Sequence, residues 1–531
     1  MLRPDVQDPG WVHRHRWMTL AVLCVSLLVI ILDNTILNVA IPTLAKPRSR
    51  GGLGASASQL AWIVDAYTIV FAGLLLSAGS LSDRFGRYRA LVIGLSVFGT
   101  GSLLSSFTKS ADVLIATRAL MGVGGAFIMP STLSVLTNVF TDPKERGKAI
   151  GIWAGVAGLG GVGPITGGTL LSHFWWGSVF LVNVPIVIVG LVAGFFLIPD
   201  SRDPSSPKLD PGGALLSIAA LGTLLWAVIE GPAHGWGSST ILTAFVIGAV
   251  LLLGFVIWEL SNTDPMLDMR FFRNPRFSAA SAAITLTFLA LLGTLFLLTQ
   301  YFQQVLGYST VKAGAVLLPQ AALMLVFAPM SSIWVARFGN KVVVTFGLTM
   351  VVLSLILFTT LDAGSSTWHV VVVVGLIALG MGNVMAPATD SIMGSLPPAK
   401  AGVGSAVNDT TRQMGGAVGV AVLGSLLVSR YNSRIVHLLR GRVPVSLIAQ
   451  SKGGVGQALA LVQQPAGQPY RAAIIKAANT SFVSGFHLAA IAAAAVIALA
   501  AIGVVGWLPA RAHDHDHEDA PEAGPVPAVT G

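Results

Sequence analysis

Residues 149–199 carry no formally charged side chain. One bilayer crossing takes roughly 20 apolar residues, so this run is too long for a single helix and holds two. His173-Phe174-Trp175-Trp176-Gly177 is its natural turn, and the tryptophan pair suits a membrane–water interface. The rest of the chain repeats the pattern. Of 531 residues, 54% are hydrophobic and 10% charged, against about 25% charged in a soluble domain. That is too little charge to cover a water-facing surface. A soluble enzyme, a disordered regulator and a secreted disulfide scaffold are excluded, which leaves an all-α polytopic membrane protein. The lone cysteine, Cys24, allows no internal disulfide and no cysteine-based metal site.

Fourteen apolar segments can be counted between Trp17 and Trp507. The polar start, residues 1–16, precedes an apolar run without a small-residue cleavage pattern, so it reads as a cytoplasmic N-terminus before a retained first span. An even number of spans puts both ends on one side. With those ends in the cytoplasm, the inside segments hold 18 Lys and Arg and the short outside loops five, as the positive-inside rule requires. Seven more fall in the long extracytoplasmic loop, residues 430–480. The net charge of +9 therefore reports topology, and no basic–aromatic clusters point to nucleic acid.

Arg84-Phe85-Gly86 after the second span recurs as Arg337-Phe338-Gly339 after the tenth. This predicts two related six-helix halves, residues 17–200 and 277–508, with two inserted helices and their linkers at 201–276 and a disordered cytoplasmic tail at 509–531. Pro204 and Pro207 mark the first linker. Repeated halves around a midplane site are common in secondary transporters.

Ionisable residues inside spans cost about 2.5–3.5 kcal/mol each and mark function by default. Asp33 follows sixteen uncharged residues and precedes Asn34, Thr35 and Asn38. Burial makes a carboxylate hold its proton more tightly, so an acid on such a polar stripe suits proton binding and release. A fixed helix contact would use the same residues. Asp65, early in the second span, would face the same cavity or the outer water. Arg118 stays positive at any pH and can pair with a carboxylate. Asp409 and Arg412 stand at i, i+3 and suit a simple pair, with Asp390 close by. Asn34 and Asn38 in the first half, and Gln303 and Asn383 in the second, are candidate substrate-binding side chains.

Glycines crowd the fifth span, among them Gly158, Gly161, Gly163-Pro164 and Gly167-Gly168. They allow bending and close helix packing. Between the second and third spans, Gly79, Asp83, Arg84, Gly86 and Arg87 form an acid-and-arginine loop suited to a conformational latch, or to a basic loop that sets topology.

At these residues the chain resembles the major facilitator superfamily, in particular its fourteen-span drug:proton antiporters. Residues 79–89 resemble that superfamily's cytoplasmic signature, with Tyr88 where a basic residue is usual. Residues 32–42 resemble the first-helix motif, Arg118 with Gly122-Val123-Gly124-Gly125-Ala126 the fourth-helix motif, Gly163-Pro164-Ile165-Thr166-Gly167-Gly168 the antiporter motif, and residues 180–185 the start of the sixth helix. The resemblance implies proton-driven export of hydrophobic or cationic small molecules across the cytoplasmic membrane by a monomer that uses the proton motive force and no cofactor. It makes Asp33 the leading proton-handling carboxylate, Arg118 its partner and Asp83 part of the latch. Ala336 replaces Asp83 in the second half, so a second latch is degraded.

No Walker A, His-Glu-x-x-His or Gly-x-Ser-x-Gly pattern occurs, so neither ATP-driven transport nor an enzyme is expected. The other readings are an uptake symporter, an exporter of one endogenous lipid or metabolite, and a membrane sensor or scaffold. The tail segment His513-Asp514-His515-Asp516-His517-Glu518-Asp519 reads as a disordered polar tail or a weak divalent-metal binder.

Overall fold

A computed structural model of the chain describes residues 8–156, 159–160, 162–203, 210–452 and 454–508. Gly158, Gly161, Pro204, Pro207 and the tail at 509–531 lie outside the described residues, as does the side chain of Asn38. All regular structure in the described residues is helical. That follows from the solvent: without water in the bilayer core, every backbone N–H and C=O must be satisfied within its own segment.

The first half comprises α1 (Pro9–Leu44), α2 (Ala57–Phe85), α3 (Arg87–Phe107), α4 (Ala111–Val139), α5 (Pro143–Val156), α6 (Val162–His173), α7 (Ser178–Leu181) and α8 (Asn183–Leu197). The inserted pair is α9 (Pro211–His234) and α10 (Ser239–Ser261). The second half comprises α11 (Pro275–Gln300), α12 (Thr310–Phe338), α13 (Asn340–Leu357), α14 (Thr367–Gly394), α15 (Ala401–Leu439), α16 (Val445–Gln450), α17 (Val455–Leu461) and α18 (Arg471–Trp507). Among the described residues, thirteen helices are long and apolar enough to cross a membrane. The expected fifth span is described as two shorter helices, α5 and α6, and with them the count is fourteen. The starts of α1 and α2 show side-chain caps read directly from their residues. Asp8 accepts from Trp11 N with Pro9 in the first turn, and Ser56 and Gln59 form a reciprocal capping box.

Alternate helices run in opposite directions, so α1, α5, α11 and α15 begin on one face, called here the near face. The internal repeat is visible in the backbone. Gly86 and Gly339 both take positive φ, 112° and 83°, where they join α2 to α3 and α12 to α13. Arg84 stacks on Phe85 at 5.6 Å and Arg337 on Phe338 at 5.5 Å. Gly94 of α3 crosses Gly124 of α4, and Gly347 of α13 crosses Gly380 of α14. In both crossings an added Cβ would come within 3.0 Å of facing backbone. In the second half, Asn340 takes the place of Arg87 and hydrogen-bonds Ser391 of α14.

The inserted helices pack on each other, and α9 lies against α2 and α15. Helix α15 has 39 residues, a length of about 58 Å that exceeds a hydrocarbon core of about 30 Å. It therefore projects from the far face, where α16 folds back beside it, α17 packs on α18, and Tyr431 donates to Ser451 O at 3.1 Å. The long loop at 430–480 is thus an ordered helical excursion.

Candidate functional site

A cavity of about 340 Å³ lies between the two halves. Its wall comes from α1, α4, α5 and α6 on one side and from α11, α12, α14 and α15 on the other. Most of it is apolar, including Leu27, Ile31, Leu295, Leu317 and Met324. The polar side chains on it are Asn34, Thr35, Thr299, Gln303, Gln320, Arg412 and Gln413, with the indole of Trp153. Gln303 stands on a π turn, Tyr301–Val305, which continues α11. Such turns break the regular hydrogen-bond ladder and recur at functional sites. Towards the near face the cavity ends on Met129, Trp153, Met385 and Arg412, and towards the far face it reaches Val39 and Thr299.

Behind the α1 wall sits a buried ion pair. Arg118 Nη1 donates to Asp33 Oδ2 at 2.5 Å, and both side chains are 1% exposed. Arg118 Nε donates to Ile63 O at 3.0 Å, and its guanidinium lies 4.4 Å from the Tyr67 ring centroid. The other Asp33 oxygen accepts from Asn183 Nδ2 at 3.1 Å, and that amide also donates to Ser102 Oγ at 3.2 Å. Helices α1, α4 and α8 thus meet at one carboxylate, and Ser102 of α3 holds the Asn183 amide. Both charges are compensated, as burial demands. Asn183 and Tyr67 escaped the sequence reading. Asn183 falls within residues 180–185, but nothing in the local pattern says which way it points.

Asp33 does not line the cavity. Successive helix residues are about 100° apart, so Asp33 faces α4 and α8 while Asn34 faces the cavity. Asp65 is not on the wall either. It shares a stripe of α2 with Ile69 and Gly73, which meets α9 at Ile218 and Gly222. Asn383 is fully buried, donates to Leu379 O at 2.8 Å and lies at the α13–α14 crossing, away from the cavity. Gln303 and Asn34 do reach it. In α6, an added Cβ at Gly163 would overlap Thr35, and Gly167 packs on Ile36, so these glycines let α6 lie directly on α1 beside the ion pair. Pro164 lines the cavity, and Gly168 meets Val311 of α12.

On the near face the halves are joined. Asp83 Oδ1 accepts from Arg87 Nε at 2.9 Å, from Arg87 Nη2 at 2.8 Å and, across the halves, from Gly402 N at 2.8 Å; Oδ2 accepts from Val403 N at 3.1 Å. A carboxylate at the first turn of α15 meets free N–H groups and the positive end of the helix dipole. Arg87, 1% exposed, also donates to Pro398 O and Ala399 O at 2.8 and 3.1 Å. Gly79 and Gly402 cross where an added Cβ would stand 2.5 Å from the facing carbonyl oxygen. Two further bridges span the same face. Arg146 Nε lies 3.1 Å from Asp390 Oδ1, and Lys400 Nζ lies 3.5 Å from Asp203 Oδ2. The sequence alone did not pair Asp390 with Arg146, 244 residues away.

A family model described as Major Facilitator Superfamily matches residues 23–420. The chain is 37% identical to the multidrug efflux pump LfrA of Mycolicibacterium smegmatis, over 92% of this chain and 95% of the relative. It is 35% identical to the tetracenomycin C resistance and export protein of Streptomyces glaucescens, over 97% and 95%. It is 31% identical to the multidrug resistance protein Stp of Mycobacterium tuberculosis, over 94% of each. Among solved structures, the human organic anion transporter MFSD10 (TETRAN) shares its fold, with a TM-score of 0.60 and 14% identity over 92% of this chain and 99% of that one. With three-quarters of its length inside the family match, helices repeated in two halves and an intervening cavity, this chain belongs to the major facilitator superfamily.

Proposed function

We propose that this chain exports drug-sized, largely apolar molecules across the cytoplasmic membrane in exchange for protons, as a monomer with both termini in the cytoplasm. The observation that carries the reading is the position of the Asp33–Arg118 pair, buried one residue behind the cavity wall that Asn34 and Thr35 supply. Protonation of Asp33 would remove the charge that holds Arg118, and with it the tie of α1 to α4. Because α1 also carries Asn34 and Thr35, the same movement would reshape the cavity. The basic near-face loops support a cytoplasmic near face, and the relatives' names describe efflux, resistance and export. On that orientation the arrangement is outward-facing: the latch around Asp83 is closed, and the cavity reaches towards the far face. Opening it inward means breaking the Asp83–α15 contacts, the Arg146–Asp390 bridge and the Gly79–Gly402 crossing as the halves rock.

The test is reconstitution into liposomes under an imposed pH gradient, with intraliposomal pH followed as cationic, neutral and anionic compounds are added. Substrate-dependent proton movement in the wild type supports exchange. No response to any compound, in folded and oriented protein, defeats the multidrug reading.

A further inference from the structure

The cavity wall carries one formal charge among its described residues, and it is positive. Asp33 is engaged behind the wall by Arg118 and Asn183, and Asp65 lies on the α9 side of α2. The charge belongs to Arg412 of α15, whose side chain is 4% exposed. Its Nη2 donates to Thr389 Oγ1 at 2.9 Å. Its Nη1 stands 3.9 Å from Asp409 Oδ1, within ion-pair reach but beyond a hydrogen bond. Its Nε has no hydrogen-bond partner among the described residues. The guanidinium is flanked by the rings of Trp153 and Phe288, with centroids at 5.1 and 5.4 Å, and both rings line the cavity. Asp409 is fully buried and not part of the wall, so the charge presented to an occupant is the arginine's.

A buried donor without an acceptor is costly, more so when it is charged. Arginine stays positive at every pH and offers a planar fork that matches an acid group. A cation in this cavity meets a like charge and finds no carboxylate on the wall. An acid group meets a charge-assisted donor in a low-dielectric site.

We infer that the cavity takes apolar molecules bearing one anionic acid group, a carboxylate, sulfonate or phenolate, with that group on Arg412 between Trp153 and Phe288. The inference rests on the cavity being the transport site of the proposed exporter, and it narrows the substrate class away from cations.

The test uses two probes that differ by one group: 8-anilinonaphthalene-1-sulfonate, an anion, and N-phenyl-1-naphthylamine, its uncharged counterpart. Ethidium serves as the cation. Binding is measured by equilibrium dialysis against the full chain in phosphatidylcholine nanodiscs, with empty discs subtracted. The sulfonate is expected to bind the wild type about tenfold or more tightly than the neutral amine, as one charge-assisted hydrogen bond allows. Arg412→Gln should lower that ratio by about the same factor, and Arg412→Lys, which keeps the charge but not the fork, by less. The double variant Arg412→Gln, Asp409→Asn leaves no unpaired carboxylate and serves if the single one does not fold. An unchanged ratio in either glutamine variant, or tighter wild-type binding of ethidium than of the sulfonate, overturns the inference. Export assays in proteoliposomes separate it from the broader reading. Movement of the amine or ethidium without sulfonate binding leaves the exporter and removes the anion site. Arg412-dependent sulfonate binding without movement of any probe does the reverse.

Discussion

Asp33 and Arg118 meet at 2.5 Å on the side of α1 turned away from the cavity, while the next residue, Asn34, faces into it. On the proposed mechanism, this back-to-back placement separates proton handling from substrate contact and makes them parts of one helix. Asp33→Asn keeps the side chain's size and its contact to Asn183 but removes the negative charge. Substrate-dependent proton movement should fall to background in proteoliposomes while expression persists. Asp33→Ala should also destabilise the fold, by about 3–5 kcal/mol, because it leaves Arg118 buried without a counter-charge. Asp65→Asn is expected to retain proton exchange, since Asp65 faces α9. Loss in Asp65→Asn with retention in Asp33→Asn would reverse these roles.

The near-face closure can be trapped covalently. A Cβ added at Gly147 of α5 would stand 3.4 Å from Ser332 Cβ of α12, close to the separation a disulfide requires. In a Cys24→Ser background, the pair Gly147→Cys and Ser332→Cys should cross-link readily under mild oxidant. Transport should stop when it does and recover on reduction. Cross-linking without loss of transport would mean that these two helices stay together throughout the cycle, and the rocking motion proposed here would fail.

The neighbouring Arg146–Asp390 bridge is about a quarter exposed on each side, so it biases this closure without locking it. An isolated exposed pair contributes about 0.2–1 kcal/mol. Arg146→Gln should therefore slow Gly147–Ser332 cross-linking by no more than about fivefold. The exchanged pair Arg146→Asp, Asp390→Arg should restore part of the rate. A complete loss of cross-linking would show the bridge to be the main latch, in place of Asp83.

Much of this architecture was legible in the sequence because lipid removes the alternatives. Charges are scarce, so each one in a span stands out; the resemblance made Arg118 the partner of Asp33, which it is in the fold, and Asp83, read beside three arginines, pairs with Arg87. The Arg-Phe-Gly repeat located the second half because Gly86 and Gly339 supply the left-handed turn that such a helix junction needs. Azimuth was not legible. Helical periodicity places Asp33, Asn34 and Asn38 near one stripe, but a turn of about 100° decides whether a side chain meets the cavity or the helix behind it. Asp65 and Asn383 were misplaced for that reason. Arg412 was read as half of a local pair because Asp409 precedes it by three residues, and only the fold brings Trp153 and Phe288 to its other side.

Asp200, in the loop after α8, gives a pH-dependent signature outside the membrane. Its Oδ1 is buried without a hydrogen-bond partner, and Arg89 Nε is 3.6 Å from Oδ2. Burial pushes its carboxyl above the ordinary 3.8, with Arg89 and Arg202 pulling it back. A raised folded value means that the folded state prefers the protonated form. That contribution is present below the unfolded value and is lost as pH rises through the folded one. At neutral pH the wild type therefore carries a penalty that Asp200→Asn lacks, moderated by Arg89 and Arg202. Thermal unfolding in detergent should find the variant at least as stable as wild type at pH 7.5, with the gap closing as the pH falls towards 4. A variant less stable than wild type at pH 7.5, by a deficit that closes on acidification, would assign Asp200 a stabilising ion pair with Arg89 instead.

The charge on the cargo sets how export responds to membrane voltage. In a one-for-one exchange, a proton moving in against a monovalent cation moving out transfers no net charge, whereas against an anion it transfers two. Each charge gains about 2.3 kcal/mol across 100 mV, so voltage alone would support roughly a 2,000-fold anion gradient and none for the cation. Proteoliposomes with a potassium diffusion potential, inside negative in the cellular sense, and no pH gradient should therefore export the anilinonaphthalene sulfonate steeply with voltage. A pH gradient at zero potential should drive the sulfonate and any transported cation alike. Sulfonate efflux that follows the pH gradient but ignores voltage would require a stoichiometry or a counter-ion that Arg412 does not provide.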